Sequence, residues 1–184
     1  MSGSALIVFA HPYPDRSRAG RVLLDAVRDV PRASVRSLYG LYPDFAIDVE
    51  AERAALLAAQ SVVWLCPFYW YGVPALLHLW FEKVLAHGWA YGEGGTAVRG
   101  KRALWVTTTG APETAYAPGQ VHGRPFEAYA PAVEQTARFC GMRWEPYVVV
   151  HGAHRISDAT LAERAAEVRA RILTLTALTE ADDA

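Results

Sequence analysis

Residues 65–81 read LCPFYWYGVPALLHLWF, an uncharged stretch that decides the fold class. A helix that crosses a bilayer needs about 20 apolar residues in an uninterrupted helical backbone. Pro67, Gly72 and Pro74 interrupt this stretch, so a membrane span is not predicted. The sequence from Ser61 onward instead predicts a buried strand, an aromatic turn, and an apolar helix that begins near Gly72 with Pro74 in its first turn.

Strand and helix patterns alternate along the whole chain. The predicted strands cover residues 4–10, 33–39, 61–68, 102–109 and 144–150, and the predicted helices cover about 17–30, 48–59, 72–87, 126–140 and 158–178. This alternation is typical of an α/β protein whose parallel sheet has helices on both faces. The first, third and fourth strands are the most apolar and belong at the centre, which predicts the strand order 2-1-3-4-5. Ligands of such sheets bind beyond the carboxyl ends of the strands, so the loops after Ala10, Cys66 and Thr109 should meet.

Length, charge and cysteine content narrow the class of protein. We expect the 184 residues to form a single domain with a loose tail at about 179–184. The formal net charge of -1 gives no reason to expect nucleic acid or an anionic membrane as partner. The opening MSGSALIVFAHP lacks a secretory signal, which predicts a cytoplasmic protein. Cys66 and Cys140 form no CxxC pair and are expected to be buried free thiols.

The first loop, HPYPDRSRAG, leads into a helix whose amino-terminal N–H groups can bind an anion. Ser17 would add a hydroxyl, and Arg16 and Arg18 lie nearby. The loop has neither the G-x-G-x-x-G nor the G-x-x-x-x-G-K-[ST] pattern, so neither a dinucleotide cradle nor a nucleotide triphosphatase loop is indicated. Taken alone, Ser17 is equally consistent with a simple helix cap, and His11 with a turn residue that bonds its own backbone.

The second and third loops carry aromatic and proton-handling residues. PFYWYG, residues 67–72, places four aromatics at the exit of a buried strand. Half of them belong to the core, because successive strand side chains face opposite ways, and the others would face a flat ligand. In the third loop, Gly110 and Ala111 let backbone approach a ligand, and Tyr116 and His122 are a pair suited to proton transfer near neutral pH. The alternative interpretation is that the polar residues of this loop simply face solvent.

A phosphate site, an aromatic platform and backbone donors at one edge of the sheet match the needs of a flavin mononucleotide, FMN, rather than FAD. Other chemistries have weaker signals. His151 and His154 form an H-x-x-H spacing that no further motif completes into a zinc set, and no G-x-S-x-G elbow occurs. No metal is therefore expected.

Four segments resemble the FMN-dependent NAD(P)H:quinone oxidoreductases related to DT-diaphorase, which have a flavodoxin-like fold. They are AHPYPDRS (10–17), PFYWYGVPALLHLWFEKV (67–84), AYGEGG (90–95) and TTGAPETAYAPGQVHG (108–123). RSLYGLYPDFAID (36–48) and HGWAYGEGGTAVRGK (87–101) are similar to the ancillary subunits of glutathione-regulated potassium-efflux systems. The resemblance covers nearly the whole chain.

The resemblance implies a set of site residues. The implied FMN contacts are His11, Ser17, Arg18, Ala19, Pro67, Phe68, Trp70, Tyr71, Thr108, Thr109, Gly110 and Ala111. Tyr116 and His122 match the family's catalytic pair at the flavin and substrate edge. Tyr69 and Tyr91 would line the substrate pocket, and because Tyr91 matches a residue that the partner subunit contributes, a homodimer is implied. Ala111 replaces the family's usual Gly, and Phe68 and Tyr69 replace an aliphatic residue and Gln, which affects the fit of the flavin edge and the substrate range.

The implied activity is two-electron hydride transfer from NADH or NADPH through the flavin to a quinone or a similar acceptor. The alternative is a regulatory subunit of a potassium-efflux antiporter, with the oxidoreductase activity secondary. That alternative would place the protein at the inner face of the cell membrane, held there by its partner. A one-electron carrier is disfavoured, because such carriers are usually strongly acidic and this chain has a net charge of only -1.

Overall fold

Six parallel strands form one sheet in the computed structural model, which describes residues 3–177. The strands are β1 (Ala5–Phe9), β2 (Ala33–Ser37), β3 (Ser61–Pro67), β4 (Arg102–Thr108), β5 (Arg143–Trp144) and β6 (Val148–Val150). Their order is β2-β1-β3-β4-β5, with β6 also paired to β4. The predicted α/β fold and strand order are confirmed. The loose tail predicted at 179–184 lies outside the described residues.

Helices pack on both faces of the sheet. They are α1 (Arg18–Val27), α2 (Leu38–Leu41), α3 (Val49–Ala58), α4 (Ala75–Val84), α5 (Pro131–Phe139) and α6 (Asp158–Ala177). Alternate residues of β1 face opposite cores: Leu6 and Val8 pack with α3, α4 and α5, whereas Ile7 and Phe9 pack with α1 and α6. None of the helices within residues 3–177 combines the length and apolar character needed to cross a bilayer.

Four of the predicted boundaries were wrong, and three of them lie at prolines. The strand predicted at 33–39 ends at Ser37, because Leu38–Leu41 form α2. Pro74 is the N-cap of α4 with an extended ψ of 150°, so the helix begins after it rather than near Gly72. The helix predicted at 126–140 is a short 3-10 turn, Phe126–Ala128, followed by α5, which restarts with Pro131 at its first position. Pro146 has no N–H to donate, and the strand predicted at 144–150 is divided around it into β5 and β6.

The carboxyl ends of the central strands lie level with one another. Phe9 of β1 pairs with Leu65 of β3, and Pro67 pairs with Thr108 of β4. Because all the strands run parallel, the loops that follow β1, β3 and β4 leave the sheet at the same edge. This register brings the first, second and third loops of the sequence together.

Both cysteines, Cys66 and Cys140, are buried free thiols, as the sequence predicts. Burial raises the pKa of Cys66 to about 12, and the indole N–H of Trp105 only partly offsets this effect. A thiol with so high a pKa is almost never a thiolate at neutral pH. Cys66 therefore acts as a small apolar side chain of the core.

A fully buried carboxylate, Glu52, joins α3 to its neighbours. Its Oε1 accepts hydrogen bonds from Arg36 and Tyr42, both at 2.6 Å, and its Oε2 accepts from the Trp80 indole at 2.9 Å. All three donors would lose their acceptor without this carboxylate, and a buried donor without an acceptor is costly.

We expect Glu52→Ala to lower the free energy of unfolding by about 3–5 kcal/mol, because it leaves the Arg36 charge uncompensated beside two unpaired donors. The measurement is urea denaturation of both proteins. Glu50→Ala on the same helix is the matched control. The Glu50 side chain is 86% exposed, and its ion pair with Arg53 is long, at 3.6 Å. This substitution should therefore change stability by less than about 0.5 kcal/mol. Equal effects of the two substitutions would contradict the prediction.

Candidate functional site

A cavity of about 310 Å³ opens where β1, β3 and β4 end. Residues of all three predicted loops line it, so the prediction that these loops meet is confirmed. The predicted site residues on its wall are His11, Ser17, Arg18, Ala19, Pro67, Phe68, Tyr69, Thr108 and Gly110.

The amino terminus of α1 forms one end of the cavity. The Ser17 hydroxyl oxygen accepts a hydrogen bond from the Gly20 N–H at 3.1 Å, which leaves the hydroxyl proton free to donate. The N–H groups of Arg18 and Ala19 have no acceptor among the described residues. A free hydroxyl and two unpaired N–H groups at a helix start are suited to a phosphate.

The Arg18 side chain points away from this anion site. Its guanidinium donates to the carbonyl of Ile156 at 2.8 Å and forms an ion pair with Asp158 at the start of α6. Arg18 therefore offers its backbone N–H to a ligand rather than its charge. The sequence predicts Arg16 only near the anion site, whereas in the structure Arg16 lines the cavity.

The tautomer of His11 is set by a backbone contact. The Tyr13 N–H donates to His11 Nδ1 at 3.0 Å, so the proton of the neutral ring lies on Nε2. Burial lowers the pKa of His11, which favours this neutral form. His11 is thus a neutral donor beside Ser17. Gly20 makes the arrangement possible, because a Cβ there would lie 2.6 Å from the Ser17 oxygen.

The second loop contains a tight turn made of bulky residues. Tyr69 and Gly72 exchange backbone hydrogen bonds of 3.2 and 3.0 Å, and Trp70 and Tyr71 have φ angles of 50° and 63°. This is the geometry of a type I′ turn, which normally uses Asn and Gly. The Trp70 side chain is 95% exposed, so no packing within the chain compensates for its left-handed backbone. Strain of this kind is common at ligand sites.

We expect Trp70→Asn to raise the free energy of unfolding by about 1 kcal/mol, because Asn adopts the left-handed conformation with less strain. Urea denaturation of the flavin-free protein is the measurement. Trp70→Ala is the control, since Ala lacks the short polar side chain with which Asn hydrogen-bonds locally in this conformation, and it should change stability by less than about 0.5 kcal/mol. An equal gain in both variants would show that removal of the exposed indole, and not backbone relief, is responsible.

The third loop is fastened to the segment that follows β6. The Ala153 N–H donates to the Thr109 carbonyl at 2.8 Å. In a trans peptide the next N–H points the opposite way, so the Gly110 N–H points away from that segment, and Gly110 lines the cavity. The N–H groups of Gly110 and Ala111 have no acceptor within residues 3–177. They are available to a ligand.

Thr109 itself does not reach the cavity, in contrast to its predicted role as an FMN contact. Its N–H donates to the Val150 carbonyl, and its hydroxyl donates to the carbonyl of Ala111 at 2.7 Å. The side chain is fully buried. The sequence does not reveal this orientation, because it depends on contacts with residues about 40 positions away.

Tyr116 and His122 are brought together beside the cavity, although neither lines it. Their rings stack with centroids 4.2 Å apart and planes at 13°. Phe68, on the cavity wall, lies 6.3 Å from Tyr116, and Tyr71 lies 5.9 Å from His122. The Nδ1 atom of His122 is buried and has no partner among the described residues. A buried ring nitrogen in this state is one that a ligand could satisfy.

Tyr91 and Ala111 lie off the cavity wall within this chain. Tyr91 packs against Phe139 and His87, with centroids 4.8 and 5.5 Å away. The predicted role of Tyr91 requires a second subunit. Ala111 has its carbonyl held by Thr109 and by the Gly152 N–H.

Several cavity residues are absent from the sequence-based prediction. Tyr13, Ala153 and His154 line the cavity with Arg16, and the Tyr129 hydroxyl donates to the His122 carbonyl at 2.6 Å. The sequence suggests His154 only as part of an incomplete metal-ligand spacing, and residues 3–177 contain no cluster suited to a metal. Its place after the last strand of a parallel sheet is a signal that could have assigned it to the cavity.

These residues fit a flavin mononucleotide. Unpaired donors lie at the start of α1, where a phosphate would bind, and at Gly110 and Ala111, where a ring edge would bind. Phe68 and Tyr69 of the second loop line the same cavity. The donor set therefore matches both parts of the cofactor.

The family described as having a flavodoxin-like fold matches residues 4–172 of the chain. The chain belongs to this family. A curated relative of this flavodoxin-like chain is the glutathione-regulated potassium-efflux system ancillary protein KefF of Citrobacter koseri, which is 45% identical over 168 residues, 91% of this chain and 94% of the relative. The predicted similarity to these ancillary subunits is confirmed.

Solved structures of proteins with different names share the flavodoxin-like fold. General stress protein 14 of Treponema denticola, solved in complex with FMN, is 32% identical with a TM-score of 0.86 over 94% of this chain and 99% of its own. A thermophilic tryptophan halogenase from Streptomycin violaceusniger is 36% identical with a TM-score of 0.87, covering 91% and 98% of the two chains. An NADPH-quinone reductase from P. pentosaceus, 24% identical with a TM-score of 0.83 over 92% and 97%, bears on the fold alone. Because the names of these proteins give different activities, the function has to be argued from the site.

Proposed function

We propose that the protein is an FMN-dependent oxidoreductase that transfers hydride from NADH or NADPH to a quinone or a similar acceptor. The observation that carries the proposal is the cavity at the strand ends, because its wall combines the unpaired N–H groups at the start of α1, the unpaired N–H of Gly110, and the aromatic side chains of the second loop. The FMN complex of the Treponema denticola protein, at 32% identity, supports the cofactor.

In this proposal the first and third loops bind different parts of the cofactor. The Ser17 hydroxyl and the N–H groups of Arg18 and Ala19 hold the FMN phosphate. The N–H groups of Gly110 and Ala111 face the ring edge and stabilise negative charge there, as the donors of an oxyanion hole do. Bound FMN supplies the hydride acceptor and donor.

We assign proton transfer to Tyr116 and His122, the stacked pair beside the cavity. Burial raises the pKa of Tyr116, and hydrogen bonding with Thr109 only partly offsets this rise, so the phenol keeps its proton at neutral pH. Tyr116 Oη then serves as the proton donor to the acceptor, and His122, stacked on it, holds its orientation. A homodimer would add the partner subunit's Tyr91 to the substrate pocket.

A visible spectrum and a turnover assay test the proposed activity. Purified protein should show the absorption of oxidised flavin, bleach on addition of NADPH without oxygen, and regain its colour with menadione. Steady-state assays should show menadione-dependent oxidation of NADH or NADPH. Protein that takes up no FMN, or that holds FMN without oxidising either nucleotide, would contradict the proposal.

A regulatory role is the second candidate, favoured by the 45% identity to the KefF ancillary protein. In this role the protein would bind a potassium-efflux antiporter and sit at the inner face of the cell membrane through that partner. Both roles are compatible in one protein. Co-purification with an antiporter, and loss of potassium efflux when the gene is deleted, would support it; normal efflux in the deletion strain would contradict it.

A further inference from the structure

A second cavity, of about 570 Å³, adjoins the FMN cavity and runs along α4. Tyr13 and Tyr69 line both cavities, so the two meet at these rings. From the second loop, Trp70 and Val73 contribute to its wall, and from α4, Leu79 does. We call this cavity the α4 groove. It begins where the FMN cavity ends.

The walls of the α4 groove are almost entirely apolar or aromatic. Burial raises the pKa of Tyr39 and Tyr69, so both phenols are neutral at physiological pH. The remaining polar side chains on the wall are His78 and Glu82, which approach each other to 3.6 Å and are 68% and 62% exposed. Because these two polar groups lie largely in solvent, the interior of the groove suits an apolar ligand.

One part of the groove wall is unpacked and another part is fixed. Trp70 is 95% exposed and Tyr13 is 62% exposed, and Trp70 also has the left-handed backbone of the second loop. Exposed apolar surface and local strain are both common at ligand sites. Tyr39 is held in place, because its hydroxyl accepts from the Leu76 N–H at 3.3 Å and its ring packs edge-on against Phe45 at 5.9 Å.

We propose that the α4 groove binds the prenyl tail of a quinone acceptor. The inference rests on the proposed function, in which the quinone ring must reach the flavin. The groove is an apolar space that starts at the wall of the FMN cavity, at Tyr13 and Tyr69, so a ring and its tail fit as parts of one ligand. Its volume is typical of a small-molecule site, which favours a tail over the other possible occupant, a second copy of this chain.

Two quinones with the same ring test the groove. Ubiquinone-0 has no tail, and ubiquinone-2 carries two isoprene units. Burial of one methylene group raises affinity roughly fourfold, so even partial burial of the tail should give ubiquinone-2 a KM at least about tenfold below that of ubiquinone-0. Binding that is equal in the ground state and the transition state changes KM and leaves kcat alone. Equal KM values for the two quinones would overturn the proposal.

Two substitutions in the groove should remove this preference. Leu79→Gln makes the wall polar at similar size, and Ala75→Phe fills the groove from an exposed position at the start of α4. Each should raise the KM for ubiquinone-2 by about tenfold and leave kcat and KM for ubiquinone-0 unchanged. Leu57→Gln is the matched control, because Leu57 is 56% exposed on α3 and outside the groove. An unchanged KM for ubiquinone-2 in both groove variants would overturn the proposal.

Binding of the tail alone can be measured on the flavin-free protein. Farnesol, a prenyl alcohol without a quinone ring, should shift the fluorescence of the exposed Trp70 to shorter wavelength as the indole becomes covered. The shift should be lost in Trp70→Phe and should need about tenfold more farnesol in Leu79→Gln. A wild-type protein that shows no saturable shift would overturn the proposal.

Light scattering on the wild type and the two groove variants tests the second copy as occupant. We expect all three proteins to have the same mass in solution. Dissociation of a wild-type dimer in Leu79→Gln or Ala75→Phe would show that the groove is a contact between subunits and would overturn the tail site. A wild-type protein that turns over neither menadione nor ubiquinone-0 would contradict only the proposed function, because farnesol binding does not depend on turnover.

Discussion

Replacing Ser17 with Asp is expected to weaken FMN binding strongly and to leave the fold intact. Asp is as good an N-cap as Ser, so its carboxylate can accept the Gly20 N–H that Ser17 Oγ accepts now. The new charge would face the FMN phosphate, and the donated hydroxyl proton would be lost. Loss of a hydrogen bond to a charged group alone costs about 1.5–3 kcal/mol, and repulsion adds to it, so we expect the Kd for FMN to rise by at least about a hundredfold.

Titration of flavin-free protein with FMN, followed by quenching of flavin fluorescence, measures this effect. Ser17→Asn is the matched control, because it caps the helix without charge and should weaken binding far less than Asp. Urea denaturation should show that both variants keep wild-type stability to within about 0.5 kcal/mol. If the Kd for FMN of Ser17→Asp stays within about threefold of wild type, the phosphate does not bind at Ser17.

Replacing Tyr116 with Phe is expected to lower kcat with menadione by about a hundred- to a thousandfold, the usual cost of losing one donor that stabilises transition-state charge. The change removes only the hydroxyl and preserves the ring that stacks on His122. FMN affinity and the flavin spectrum should stay unchanged. Stopped-flow and steady-state assays on the flavin-loaded protein measure the effect.

Tyr147→Phe is the control for this substitution, because the Tyr147 ring packs against Trp105 and Phe126 in the core. It should keep wild-type turnover. A Tyr116→Phe protein that turns over menadione at the wild-type rate would remove Tyr116 from the proposed chemistry and leave proton delivery to another group.

The sheet could be predicted because its strands are short apolar segments separated by amphipathic helices. β1 and β3 are buried along their whole length, and that burial is visible as continuous apolar sequence. The strand order follows from which strands are most apolar. Three of the errors arose at Pro74, Pro131 and Pro146, where the missing N–H decides the boundary more strongly than the apolar pattern does. Another is α2, Leu38–Leu41, part of which was predicted as strand.

The site was less accessible to sequence reasoning, because half of it depends on long-range contacts. Ser17 could be predicted, since a cap and its helix are local. Thr109 could not, because its side chain is held by His151 after the last strand. Trp70 illustrates a third case: its left-handed φ of 50° runs against the preference of a bulky residue, and local propensity fails at strained positions.

The central claim is that the loops after β1, β3 and β4 hold one FMN molecule. A crystal structure of the FMN complex tests it most directly. The account predicts the phosphate within hydrogen-bonding distance of the Ser17 hydroxyl and the N–H groups of Arg18 and Ala19, with the ring edge at the N–H groups of Gly110 and Ala111. FMN bound elsewhere on the protein, or its phosphate at the opposite end of the cavity from α1, would contradict the account.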